Sequence, residues 1–288
     1  MLLGVPNVSE GRDAVAVAEI ADAFAAGGAE LLDIHSDPDH NRSVVTLSGE
    51  PGALSHALLA GAREAVERID LTAHKGLHPH VGALDVAPVV HLDAATRGAA
   101  CAEALVAADL IATELEIPVF LYGVLAGGRT RAELRRGGPA ELARRIGEGE
   151  LAPDFGPPTP HPTAGTTLVA ARPPLIAFNV ELAAPATKTD AMGIAAGIRD
   201  GGPAGLPGVR AIGLELAARG GAPQVSLNIE DYERTPLAEV VAAIARHAPI
   251  AEAELVGLAP AAAFEGFPED IHVRNRRTIE EAIKAVGS

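Results

Sequence analysis

The sequence predicts an α/β (α+β) protein of two sandwich subdomains with mixed or antiparallel sheets. Three observations lead there. Apolar runs with strand character alternate with stretches of helical periodicity along the whole chain. The segment Ala152 to Pro162 is dense in prolines, which lack a backbone donor and restrict their neighbours, so no regular element can cross it. Beyond it the elements run strand-helix-strand-strand-helix-strand, the split order of a ferredoxin-like sandwich. The boundary falls near residue 173, giving subdomains 1–172 and 173–288.

The chain starts in a turn-rich stretch, Val5 to Arg12, where Asn7 and Ser9 are read as helix caps. Apolar side chains at helical spacing from Asp13 to Ala26 end at Gly27-Gly28. Strands are expected over Glu30–Ile34 and Ser43–Gly49, with a polar loop, His35 to Arg42, between them. A helix over Pro51–Ile69 leads to a histidine-rich loop, and Val81–Val89 reads as a buried strand. A helix through Cys101 to Leu115, a strand over Pro118–Gly123 and a basic amphipathic stretch at 129–148, broken at Gly137-Gly138-Pro139, complete the first half. In the second half strands are expected at Leu175–Leu182, Val209–Glu215, Pro223–Ile229 and Ala253–Leu258. Helices are expected at Thr189–Ile198 and Pro236–His247.

Composition narrows the classes. Of 288 residues 48% are hydrophobic but only 3% aromatic, so the core is built from Ala, Val, Leu and Ile. The single cysteine, Cys101, excludes an internal disulfide framework or a cysteine zinc cage and reads as a small core side chain. A net charge of -15 argues against a nucleic-acid partner, and a small anionic substrate would need a local positive site. No apolar run approaches a membrane span and the start lacks a basic leader, so a cytoplasmic protein without a membrane partner is expected.

The chemistry concentrates at His74-Lys75-Gly76-Leu77-His78-Pro79-His80, three histidines on a loop feeding a strand. Histidine exchanges a proton near neutrality, so His78 is the candidate acid-base group. His74 and His78 also have metal-pair spacing on a helix, but Gly76 and Pro79 disfavour that helix and no adjacent Glu completes a zinc-hydrolase motif. No metal is expected. The second candidate stretch holds Asp37, Asp39, His40, Asn41 and Arg42. Its aspartates suit ordinary turn chemistry, while Arg42, immediately before a strand, suits bidentate binding of a carboxylate. Gly123-x3-Gly127-Gly128 lacks the ending of a phosphate loop, and no nucleophile elbow occurs. Arg274 to Arg277 reads as the solvated entrance of a helix capped by Thr278-x-x-Glu281.

Taken in order, these segments resemble the formiminotransferase family over nearly the whole chain. The resemblance is carried by Val5-Pro6-Asn7-Val8-Ser9-Glu10-Gly11-Arg12, Asn41-Arg42-Ser43-Val44, His78-Pro79 with Gly82-Ala83-Leu84-Asp85-Val86, and Pro118 to Gly123. It continues through Pro153-Asp154-Phe155-Gly156-Pro157, Gly165-Thr166, Ala171-Arg172, Ile176 to Asn179, Gln224-Val225-Ser226 with Asn228, and Glu254 to Leu258 with Pro260. The resemblance implies transfer of a formimino group from N-formimino-L-glutamate to tetrahydrofolate, by a homodimer whose subdomains flank a folate groove. His78 matches the family's catalytic histidine, and Asp154, Phe155, Gly156 and Pro157 match its folate-binding segment. Arg42 and Arg172 are candidates for substrate carboxylates, and Asn179, Gln224 and Asn228 for polar contacts to pterin or glutamate. Two departures stand out. His35 replaces an acidic residue that assists the histidine, a role open to Asp37 or Asp39, and His80-Val81 replaces Arg-Met. A formyl donor (N-formylglutamate or 5-formyltetrahydrofolate), a low-turnover folate-binding paralogue and a metal-dependent amidohydrolase are the alternatives.

Overall fold

Leu2–Gly4 (β1) and Asn7–Val8 (β2) occupy one strand position, interrupted at Val5-Pro6, in a computed structural model that describes residues 1–287. Both pieces lie between the same neighbours, β4 (Arg42–Gly49) and β5 (Leu84–Val90), and pair antiparallel with each. The remaining elements of the first unit, Met1–Pro173, are α1 (Ala14–Ala26), β3 (Glu30–Asp37), α2 (Leu54–Arg68), α3 (Arg97–Leu115), β6 (Val119–Leu121), α4 (Arg131–Arg135), α5 (Gly138–Gly147) and β7 (Thr167–Arg172). The sheet order is β3-β4-β1/β2-β5-β7-β6. Its first four positions make the split sandwich order, and parallel β7 and β6 extend it.

Asp13 caps α1, accepting hydrogen bonds from the Val15 and Ala16 amides. Asn7 and Ser9 are therefore not caps: the Asn7 amide donates to Val5 O at 3.1 Å and the Ser9 hydroxyl to Gly82 O at 2.7 Å. Helix α2 lacks a capping side chain of its own, and Glu103 of α3 accepts from Ser55 N at 2.8 Å in its place. Ile20, Phe24, Leu47, Leu58 and Ile111 fill the core under α1, α2 and α3. The buried face of α3 is largely alanine, so backbone and sheet approach closely where aromatics are scarce. Cys101 packs half-buried beside this core. On the opposite face, Leu134, Leu142 and Ile146 of α4 and α5 cover Val86, Phe120, Tyr122 and Leu168.

The second unit, Pro174–Ser288, contains β8 (Ile176–Leu182), α6 (Lys188–Ile198), β9 (Val209–Leu216), β10 (Ala222–Ile229), α7 (Leu237–Ala245), β11 (Ile250–Val256), β12 (Val273–Arg274) and α8 (Ile279–Val286). Its sheet runs β12-β11-β8-β10-β9, antiparallel throughout except for parallel β12, so the split order expected for this half is present. Phe178, Val180, Val225, Leu227 and Leu255 pack with α6 and α7 in the core. Alternation sends Asn179, Glu181, Gln224, Ser226, Asn228, Glu252 and Glu254 to the other face.

Two further expectations need correcting, and one strand was not expected at all. Strand β3 does not stop at Ile34 but continues through Asp37, so the polar loop shrinks to 38–41; pairing with β4 holds His35, Ser36 and Asp37 extended. Strand β7 had no clear signal, since a short parallel strand containing Ala170-Ala171 lacks both alternation and β-branched density. Arg274 is not a solvated entrance residue. It forms ion pairs with Glu181, Glu252 and Glu254. Among the described residues, no helix is long and apolar enough to cross a membrane.

Candidate active site

The β3–β4 hairpin sets Asp37 directly opposite Arg42, so both side chains share one face. Asp37 Oδ1 accepts the His40 N–H at 2.8 Å and closes the turn. Asn41 has φ 48°, a left-handed conformation that asparagine tolerates. Its Oδ1 accepts the Gly11 amide at 2.9 Å, and its Nδ2 donates to Lys75 O at 3.2 Å and lies 3.2 Å from His74 Nδ1. Asn41 thus ties the N-terminal segment and the histidine loop to one hairpin turn.

The loop is docked by its backbone as well. Leu77 N donates to Asp39 O at 3.1 Å and His78 N to His40 O at 3.4 Å. Gly76 permits this approach, since a Cβ there would run into the His40 carbonyl. A Gly76→Ala substitution should therefore lift the loop and lower kcat about tenfold or more. Paired kinetics and thermal melts check this: a fall in kcat with little change in melting temperature is expected, whereas unchanged kcat would mean the close approach has no role.

His78 is half-buried, and its ring centroid lies 6.3 Å from that of His40. Desolvation, reinforced by the positive charges of Arg42, Arg135 and Arg131 and by His40, holds its pKa well below 6.5. The imidazole is thus neutral at physiological pH. Burial lowers the Arg42 guanidinium to about 10, opposed by Asp37, so it stays charged. Asp85, 1% exposed within an apolar strand, accepts Val81 N–H at 2.7 Å through one oxygen and pairs with Arg135 through the other. The Arg131 guanidinium lies 5.7 Å from the Tyr122 ring centroid. His74 packs edge-on against His80 at 4.2 Å, and burial and the neighbouring His80 lower its pKa.

Of the residues singled out from sequence, the structure brings together Asp37, Asp39, Asn41, Arg42 and His78. Arg172 lies beside Val90, at the end of β5 far from the histidine loop, and donates to Pro173 O at 3.0 Å. Asp154 accepts Leu121 N–H at 2.7 Å and pairs with Arg129. Phe155 packs on the core and its carbonyl accepts Val119 N–H at 2.9 Å, while Gly156 takes φ 83° against the Ile117 carbonyl. Pro157 follows, half-buried. In the second unit Asn179 donates to Glu254 at 3.1 Å, Asn228 is half-buried, and Gln224 is fully buried with neither amide atom hydrogen-bonded.

Sequence reasoning missed Arg131, Arg135, Asp85 and Tyr122. Two signals were available. Arg131 and Arg135 stand four residues apart, hence on one helix face, and Asp85 is a lone carboxylate in a buried strand, which requires a partner.

The structure thus sets a neutral histidine in the positive field of three guanidiniums, on an α+β scaffold. The chain belongs to the formiminotransferase family. The formiminotransferase domain, N-terminal subdomain, matches residues 1–172, and the formiminotransferase domain matches residues 177–284. The glutamate formimidoyltransferase of Streptococcus pyogenes serotype M1 is 38% identical over 271 residues, covering 90% of this chain and 89% of that protein. That of Thermoplasma acidophilum is 37% identical over 274 residues, covering 89% and 87%. The formimidoyltransferase-cyclodeaminase of Rattus norvegicus is 37% identical over 274 residues; these cover 89% of this chain but 49% of that protein. The chain thus spans about half the length of such bifunctional relatives.

Proposed function

We propose that this chain transfers a formimino group from N-formimino-L-glutamate to tetrahydrofolate, with His78 acting as base and then as acid. The observation that carries the reading is the neutral imidazole of His78 set among arginines, in a chain of this family. The secondary amine of the reduced pterin attacks the formimino carbon, and His78 takes the proton that the amine loses. The tetrahedral adduct then collapses. The imidazolium returns that proton to the departing glutamate nitrogen, leaving glutamate and the formimino-folate. The amidinium carbon is electrophilic from the start, so neither a metal nor a covalent nucleophile is needed.

In this reading Arg42 faces a carboxylate of the donor while Asp37 and Asp39 hold the turn beneath His78. Arg172 is a second candidate for a carboxylate. The Asp154–Pro157 segment, and Asn179, Gln224 and Asn228, are candidate folate or glutamate contacts. The expected assembly is a homodimer. Purified protein incubated with tetrahydrofolate and N-formiminoglutamate should release glutamate only when the folate is present. Turnover of N-formylglutamate alone would instead support a formyl donor. Tight folate binding without any turnover would sink the enzymatic reading.

A further inference from the structure

The arginines of α4 have no part in the proton transfers above. Three guanidiniums, Arg42, Arg131 and Arg135, act together on His78, and Asp37 and Asp85 are carboxylates that act on Arg42 in return. Asp85 is committed to Arg135 and to the Val81 amide. Asp37 lies opposite Arg42 and also accepts from His40. Arg131 has only the Tyr122 ring beneath it and, among the described residues, no carboxylate partner. The Nε atoms of both Arg42 and Arg135 are buried without an acceptor. Native proteins seldom leave buried guanidinium N–H groups unmatched, and Arg131 adds a third cation to the two that face Asp37 and Asp85.

Resting on the transferase reading, we infer that Arg42, Arg131 and Arg135 form a carboxylate receptor beside His78 that takes a carboxylate of the amino-acid donor, with Asp85 as the positioning residue that fixes Arg135. Planar guanidiniums suit this ligand because they bind carboxylate in two parallel hydrogen bonds. The receptor also couples binding to chemistry. An arriving carboxylate cancels part of the positive field at His78, so the imidazole gains basicity only once the donor is in place. The charged and titratable groups acting on it are Arg42, Arg135, Arg131 and His40.

A carboxylate could also come from the glutamate tail of the folate, and the test separates the two sources. Glutarate, a dicarboxylate without an amino group, is titrated calorimetrically into the parent and into Arg131→Gln and Arg135→Lys variants of the full chain. Each variant should weaken glutarate binding and raise the KM of the formimino donor by about tenfold or more. The KM values of tetrahydrofolate and of tailless tetrahydropteroate should not move. In the parent the acid limb of kcat should lie at higher pH than that of kcat/KM, because the first reports the loaded enzyme and the second the free one. In Arg131→Gln the kcat/KM limb should move up, a change that a merely structural role would not produce. Glutarate binding that is absent in the parent, or equal in parent and variants, overturns the inference whatever the transfer assay shows. A raised KM for tetrahydrofolate alone overturns the assignment to the donor. Glutarate binding that depends on Arg131 and Arg135, without turnover of the formimino compound, supports the receptor and overturns the transferase reading instead.

Discussion

His78→Ala should lower kcat by about 10²–10⁴-fold, the usual weight of a positioned acid-base group, while the dissociation constant of tetrahydrofolate stays near its parental value. The loop is held by backbone bonds from Leu77 and His78 and by the Asn41 side chain. Removing the imidazole therefore deletes the proton acceptor without undocking the segment. Calorimetric folate binding and steady-state rates on the same preparation separate the two effects. A variant that retains full kcat would eliminate His78 as the base.

The same residue gives a stability test whose sign follows from its depressed pKa. Above about pH 6.5, the ordinary histidine value, folded and unfolded forms are both neutral and His78 has no effect. Below it the unfolded chain binds a proton that the folded chain refuses, so stability falls as pH drops toward the lower folded-state value. His78→Ala lacks this penalty. It should lose less of its urea midpoint between pH 7 and pH 5 than the parent does. Equal losses would mean that the imidazole is not held neutral by its surroundings.

The depth to which the sequence could be read tracks how far its signals are local. Helix α1 and the whole split order of the second unit were legible, because Asp13 to Ala26 and the strands around Phe178 and Val225 carry complete periodic patterns. Strands β1, β2 and β7 were not. The first two have three and two residues, and they are strands only because β4 and β5 lie on either side of them. Their existence is decided by partners that no local window contains.

The site divides in the same way. His78, Asn41 and Arg42 were legible since each is a polar group beside a strand, where loops place functional side chains. Arg131 and Arg135 act on His78 through their charge because the apolar face of α4 and α5, through Leu134, Leu142 and Ile146, packs over Phe120 and Leu168. From sequence alone that helix is a surface helix with an ordinary basic face. Arg274 was misread for the same reason: the two-residue strand β12 sets it opposite Glu254, and this pairing turns a basic run into part of an ion network.

Arg274→Ala should be among the most destabilising single substitutions in the second unit. Arg274 holds Glu181 at 2.6 Å, Glu252 at 3.0 Å and Glu254 at 3.1 Å, and its side chain is only 24% exposed. Arg219 is the other cation on this network, reaching Glu181 and Glu252, but it is 40% exposed and therefore screened. Removing Arg274 leaves three carboxylates together on one sheet face, two of them with little solvent. Breaking a buried pair costs roughly 3–5 kcal/mol, and partial exposure here argues for the lower end. Burial already raises the Glu181 pKa, with Arg274 and Arg219 pulling it down and Glu252 pushing it up. Without Arg274 that pKa rises further above its unfolded value. The folded variant then binds a proton there that the unfolded chain does not, so the contribution of Glu181 is fully present below its unfolded value and is lost as pH rises through the folded-state value. Denaturant midpoints at pH 5 and pH 8 should show the gap between parent and Arg274→Ala widening with pH. A gap that stays constant would mean that the lost packing of the arginine stem, not uncompensated carboxylate charge, sets the cost.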